Sequence, residues 1–265
     1  MGKNKLRKFS ELEGMDFVFQ YPYSRLAEEG FPLRGRWKED FFHNSNPIVL
    51  ELGCGKGEYT VGLARNDAGR NFIGIDIKGA RMWTGARAAR DAGMANVAFV
   101  RTNIELLDRF FAPGEVDEIW ITFPDPQMKK VRKRLTSTGF MELYRRVLVQ
   151  GGRIHLKSDS PFLSAYTRMM AEHNGLEIKA WSDDLHHDPE IGPENPLRTI
   201  RTHYEQQWLD RGLSIKYISF TLGAEPTSLE EPPGAEELEH DTYRSYSRGY
   251  IQMPELMKDN KQDRL

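Results

Sequence analysis

Three short runs carry the residues of this chain best suited to chemistry. The first is Glu51-Leu52-Gly53-Cys54-Gly55-Lys56-Gly57, which follows the apolar stretch Ile48-Val49-Leu50 and precedes a helix-like segment, Glu58 to Ala64. Glycines at alternate positions let a backbone turn sharply and approach a ligand with no Cβ in the way, which makes Gly53 and Gly55 ligand-facing candidates. The second run, Asn71 to Ile75, ends in Asp76. An acid at the carboxyl end of that strand sits where a ribose would lie, in the crevice that open α/β sheets use for ligands. The third is Thr122-Phe123-Pro124-Asp125-Pro126-Gln127-Met128. Its prolines fix φ on either side of Asp125 and remove two amide donors, so the loop is stiff. Five cations follow within six residues: Lys129, Lys130, Arg132, Lys133 and Arg134. Beside a reaction site such a run suits the phosphates of a polyanion; its competing reading is a solvated face.

Several other chemistries do not fit. A dinucleotide fingerprint needs its third glycine where Glu58 stands, and a phosphate-cradling loop needs Ser or Thr where Gly57 follows Lys56. The nucleophile-elbow pattern of serine hydrolases is absent. Cys54 is the only cysteine, which rules out a disulfide framework and a thiolate zinc site. His186-His187-Asp188 and His203 lack metal-ligand spacing, so no metal is expected.

The elements that must hold these runs alternate. Strands are expected near 47–52, 71–76, 97–102, 116–122 and 153–158, and helices over 58–66, 78–92, 104–111, 137–148 and 161–174. That rhythm predicts an α/β, doubly wound, mostly parallel sheet. After Gly175 it changes: a strand near 176–181, a helix near 202–211 and a strand near 214–222 follow. Residues 1–45 form a basic and aromatic extension, in which Phe17, Phe19, Tyr21 and Tyr23 alternate like a short extended segment. Residues 223–242 hold seven acids, no Lys or Arg, and Pro226, Pro232 and Pro233, so 223–265 reads as a solvated and partly mobile tail.

Composition bounds the class. The chain has 265 residues, 39% hydrophobic and 29% charged, with a net charge of −2, ample for one large domain with attachments. No apolar run approaches the roughly 20 residues needed to cross a bilayer, and the basic start Met1 to Lys8 lacks a signal core. The expectation is a reducing, cytoplasmic compartment. Monomer and homodimer both stay open.

Glu51-x-Gly-x-Gly-x-Gly resembles the first motif of the Rossmann-like S-adenosylmethionine-dependent methyltransferases, a fold of about seven strands with a late antiparallel strand. Together with Ile73-Gly74-Ile75-Asp76-Ile77-Lys78, Phe123-Pro124-Asp125-Pro126 and its basic run, and Thr202-His203-Tyr204-Glu205, it resembles the bacterial tRNA (guanine-N7-)-methyltransferase family over roughly residues 47–222. One departure is Gln127, where the family commonly has Trp.

The resemblance implies a methyltransferase domain over 46–222 that moves a methyl group from S-adenosylmethionine to N7 of a guanine in tRNA, leaving S-adenosylhomocysteine. It implies cofactor contacts at Glu51, Gly53, Gly55, Asp76, Asn103 and Asp125, a catalytic role for Asp125, and tRNA contacts at Lys129, Asp159, Thr202, His203, Tyr204 and Glu205. Local structure offers competing roles. Ser160 and Pro161 after Asp159 fit a helix start, Thr202-x-x-Glu205 has capping-box spacing, and Asn103 is placed to cap the following helix. Two rivals differ in class. An N6-adenine methyltransferase needs a second proline and an aromatic after Asp125-Pro126, where Gln127 stands; for an inactive subunit that binds RNA or a partner protein, loss of Asp76 or Asp125 is the expected sign, and both are present.

Overall fold

A computed structural model describes residues 3–225 and 227–243. Its strands are β1 (Val18–Gln20), β2 (Ile48–Leu52), β3 (Asn71–Ile75), β4 (Val97–Arg101), β5 (Val116–Thr122), β6 (Leu148–Ser158), β7 (Ile178–Ser182) and β8 (Lys216–Leu222). Its helices are α1 (Lys3–Glu13), α2 (Tyr23–Glu29), α3 (Glu58–Asn66), α4 (Gly79–Asp91), α5 (Leu107–Phe110), α6 (Thr138–Arg145), α7 (Pro161–His173), α8 (Pro196–Thr199) and α9 (His203–Leu209).

All eight strands join one sheet in the order β1-β4-β3-β2-β5-β6-β8-β7. Every residue of β2 and β3 is buried, as strands covered on both faces require. Alternate residues of β2 serve two cores: Ile48, Leu50 and Leu52 pack with residues of α5, α6 and α7, while Val49 packs with residues of α3 and α4. From β2 the chain winds outward through β3 and β4, then returns to place β5 and β6 on the other side. The order reverses between β2 and β5, and ligands bind beyond the carboxyl ends of strands at such a switch point. The expected doubly wound sheet is therefore present. Its late antiparallel part is β8, which runs against both β6 and β7.

The eighth strand comes from the N-terminal extension. β1 pairs parallel with β4, Phe19 opposite Val100, so the aromatic alternation does mark an extended segment, but it stops at Gln20 and Tyr23 opens α2 instead. Trp37, fully buried, donates from Nε1 to the Phe110 carbonyl at 3.0 Å and stacks on Phe111. β6 starts at Leu148, before the strand expected near 153–158: the chain turns through Gly151 at φ 74° and resumes pairing with β5 at Arg153. No helix of the described residues is long and apolar enough to cross a membrane.

The acidic stretch after β8, which reads as solvated from composition, makes specific contacts. Leu229, Ala235 and Leu238 pack on the core. Glu231 accepts from the Thr138 amide (3.1 Å) and from the Thr138 and Tyr166 hydroxyls.

Candidate active site

The glycine run turns beyond β2 with Gly53, Gly55 and Gly57 all at positive φ (75°, 55° and 70°), a region that L side chains rarely occupy. A Cβ on Gly85 of α4 would meet the Lys56 carbonyl at 2.7 Å. The helix therefore locks the loop from one side, with the amides of Gly53 and Cys54 held on the Ile75 carbonyl at 2.8 and 3.0 Å. Asp76 Oδ2 accepts from the Gly55 amide at 2.9 Å and Oδ1 from the Lys78 amide at 2.7 Å. These bonds aim the carboxylate while leaving lone pairs for a ligand.

One cavity of about 280 Å³ lies beyond the carboxyl ends of β2 and β5, and it joins most of the expected site residues: Glu51, Gly53, Gly55, Asp76, Asp125, Thr202 and Tyr204 all line it. Glu51 forms its floor, only 3% exposed. Its carboxylate accepts from the Thr60 amide (2.8 Å), the Thr60 hydroxyl and the Thr122 hydroxyl (2.6 Å). Burial pushes its pKa up to about 7, against the pull of those hydroxyls.

Asp125 stands exposed at the cavity edge and accepts from the Gln127 amide at 3.2 Å. Phe123 and Gln127 flank the proline-framed loop at φ 49° and 48°, a conformation costly for non-glycine residues. Arg134 helps hold it there. Its Nε donates to the Pro126 carbonyl and its Nη2 to those of Gln127 and Met128, each at 3.3 Å, and its guanidinium lies 3.9 Å over the Tyr166 ring. Arg134 is 2% exposed, which takes it out of the phosphate-binding run. Lys129, Lys130, Arg132 and Lys133 are exposed and lie outside the cavity lining.

The far wall comes from α9. The Thr202 hydroxyl accepts from the Glu205 amide at 3.1 Å, so it caps the helix; exposed His203 gives its amide to Glu58. Glu205 does not complete the capping box. Expected among the tRNA-contacting positions, it is instead fully buried, with Oε2 2.8 Å from Lys157 Nζ and Oε1 2.9 Å from His186 Nε2. It braces the wall from behind. Asp159, expected in the same group, is also fully buried and accepts from the Tyr243 hydroxyl at 2.7 Å. Ser160 caps α7 through the Leu163 amide. Asn103 makes no side-chain cap and lines a neighbouring cleft with Ile77 and Thr102.

Sequence reasoning missed Arg81 and Trp208, which also line the cavity. Trp208 falls four residues after Tyr204, so the two share a helix face, and that spacing was the available signal. Arg81, in the first turn of α4, has its guanidinium 5.9 Å from the centroid of the Tyr204 ring.

The family model described as "Putative methyltransferase" matches residues 45–218. The tRNA (guanine-N(7)-)-methyltransferase of Porphyromonas gingivalis is 62% identical over 239 residues, 89% of this chain and 96% of that protein. Its namesake in Bacteroides fragilis is 58% identical over 248 residues, 94% and 96% of the two chains. Among solved structures, the 16S rRNA methyltransferase KamB matches with a TM-score of 0.53 at 15% identity, covering 70% of this chain and 92% of its own, a likeness of fold. With the relatives' identity carried across nearly the whole chain, this protein belongs to the tRNA (guanine-N7-)-methyltransferase family.

Proposed function

We infer that this chain transfers a methyl group from S-adenosylmethionine to N7 of a guanine in tRNA, the variable-loop guanine by family resemblance, in the cytoplasm. The observation that carries the reading is the cavity on which the glycine run, Asp76 and Asp125 converge. Its lining fits the cofactor. Glu58, Asp76 and Asp125 outnumber Lys56 and Arg81, which favours a cationic ligand. Asp76 is aimed for ribose hydroxyls, and Gly53 leaves open space where a Cβ would stand. Asn103, beside exposed Ile77 in the adjoining cleft, is suited to the adenine end. Bound S-adenosylmethionine supplies an electrophilic methyl on a sulfonium and leaves as S-adenosylhomocysteine.

Guanine N7 carries an unprotonated lone pair on the edge of the base that faces the major groove. It loses no proton on methylation, so the site needs no strong general base and no metal. The chain's work is alignment and charge. The Asp125 carboxylate can accept from guanine N1–H and its exocyclic amine, which adenine does not offer together. It also faces the positive charge that the base acquires, an interaction stronger in the transition state than in the ground state. Exposed Tyr204 and His203, and the cations Lys129 to Lys133, lie where the surrounding RNA backbone would pass. Labelled-methyl transfer to unmodified tRNA followed by nucleoside analysis tests the reading. The product expected is 7-methylguanosine; label in adenosine, or none, would overturn it.

A further inference from the structure

The contacts of residues 238–243 reach the reaction site from outside. Tyr243 donates its hydroxyl to Asp159 Oδ2 at 2.7 Å, and its ring stands edge-on to Trp208, centroids 5.4 Å apart at 82°. Trp208 is a cavity wall residue. Asp159 follows β6, the strand that pairs with β5 up to Thr122 and Lys157, so it sits beside the loop that carries Asp125. Asp241 reaches the same neighbourhood. Its carboxylate accepts from the Ser160 hydroxyl and, at 3.2 Å, from the Phe162 amide at the start of α7, while its own amide meets Met128 Sδ at 3.1 Å in the proline-framed loop. His240 stands edge-on to Phe162, whose ring also carries the Arg134 guanidinium at 4.8 Å. One short segment thus touches Asp159, Trp208, the start of α7 and the loop behind Asp125, all on the side of the cavity away from Asp76.

We propose that Tyr243 and Asp241 are positioning residues for methyl transfer, and that the segment after β8 is a wall of the acceptor side of the site. The proposal rests on the methyltransferase reading above. A stiff loop with two residues at positive φ needs neighbours that over-determine it, and Arg134 from within and Asp241 from without supply them. Asp159 is fully buried, and a buried carboxylate demands hydrogen-bond donors. The Tyr243 hydroxyl is one, and that bond also fixes the ring that backs Trp208.

Tyr243→Phe deletes the hydroxyl and keeps the ring; Asp241→Asn keeps size and loses charge. In the full chain, single-turnover methyl transfer at saturating S-adenosylmethionine and tRNA should fall about tenfold in each, the factor that one hydrogen bond to a charged group is worth. Cofactor affinity should stay at the wild-type value, since Gly55 and Asp76 lie across the cavity, whereas the thermal midpoint should fall in Tyr243→Phe, where buried Asp159 loses a donor. Hydrogen exchange should quicken over residues 127–130 and 159–163. An unchanged rate in Tyr243→Phe overturns the proposal, and so does a parallel loss of cofactor affinity, which would make the segment scaffold. A wild-type chain that forms no 7-methylguanosine overturns the functional reading instead. In that case unchanged exchange in Tyr243→Phe separately overturns the positioning.

Discussion

Lys157 Nζ lies 2.8 Å from Glu205 Oε2, and both side chains are wholly inaccessible to solvent. The pair joins β6 to α9 directly behind the cavity wall, with the Leu197 carbonyl also accepting from Lys157 at 2.6 Å. Burial pulls Lys157 below the usual lysine range, and Glu205 pulls it back up. A pair without solvent gains little over an apolar replacement but is costly to break from one side. Glu205→Ala should therefore destabilise the fold by ~3–5 kcal/mol. The double change Lys157→Met with Glu205→Leu should recover most of that loss. Urea midpoints decide: a single variant as stable as wild type would show that the pair is already hydrated.

The cation run has two parts. Lys129, Lys130, Arg132 and Lys133 are exposed, with Lys133 reaching Glu105 at 3.3 Å; Arg134 is the buried clamp of the loop. Changing the four exposed residues to Ala should weaken tRNA binding and flatten its salt dependence by roughly 0.7–0.9 in slope for each phosphate left unneutralised. Cofactor affinity should hold. Arg134→Ala should leave the salt slope alone and slow methyl transfer through the loop. Filter binding across a salt series separates the two, and an unchanged slope in the fourfold variant would make the run a solvated face.

That division is illegible in the sequence because five neighbouring cations look alike until their surroundings are known. Arg134 is buried by Tyr166 and by carbonyls of its own loop, and only the fold brings those together. Glu205 matches a capping spacing for local reasons and loses that role to Lys157, which reaches it from a different element. By contrast the glycine run, Asp76 and Asp125 are legible, because alternating glycines and flanking prolines constrain the backbone where they stand. The strand-helix rhythm places them at one sheet edge. β1, α1 and α2 are harder: three residues of strand and two short helices carry little periodicity, and they owe their form to packing around Trp37 and onto α4.

Glu51 gives the cavity floor a pH dependence. Burial raises its pKa from 4.5 to about 7. Between those values the unfolded chain releases the proton and the folded chain keeps it, so stability falls as pH rises. The stabilisation is complete below pH ~4.5 and lost above pH ~7, an order of ~3 kcal/mol at 1.36 kcal/mol per pKa unit. Glu51→Gln should lack that component of the pH dependence. Unfolding free energies at pH 5 and pH 8, wild type against variant, give the difference directly. Equal pH dependence in both would show that Glu51 stays ionised in the fold.

Asp125 tests the chemistry. Its carboxylate is exposed at the cavity edge, tied to the chain through the Gln127 amide, and so is available to a base entering between it and Tyr204. Asp125→Asn keeps the size and the proline frame but removes the charge facing the methylated base. It also puts an amide where guanine N1–H would donate. Transfer should fall roughly 10²-fold or more, as for other preorganised electrostatic contacts. Cofactor affinity should suffer less, because Asp76 and the glycine run are untouched, and tRNA binding should persist through Lys129, Lys130, Arg132 and Lys133. Single-turnover rates with both ligands saturating isolate that step from binding. A rate near wild type would mean that Asp125 only shapes the loop, and that alignment by the rest of the cavity suffices for methyl transfer.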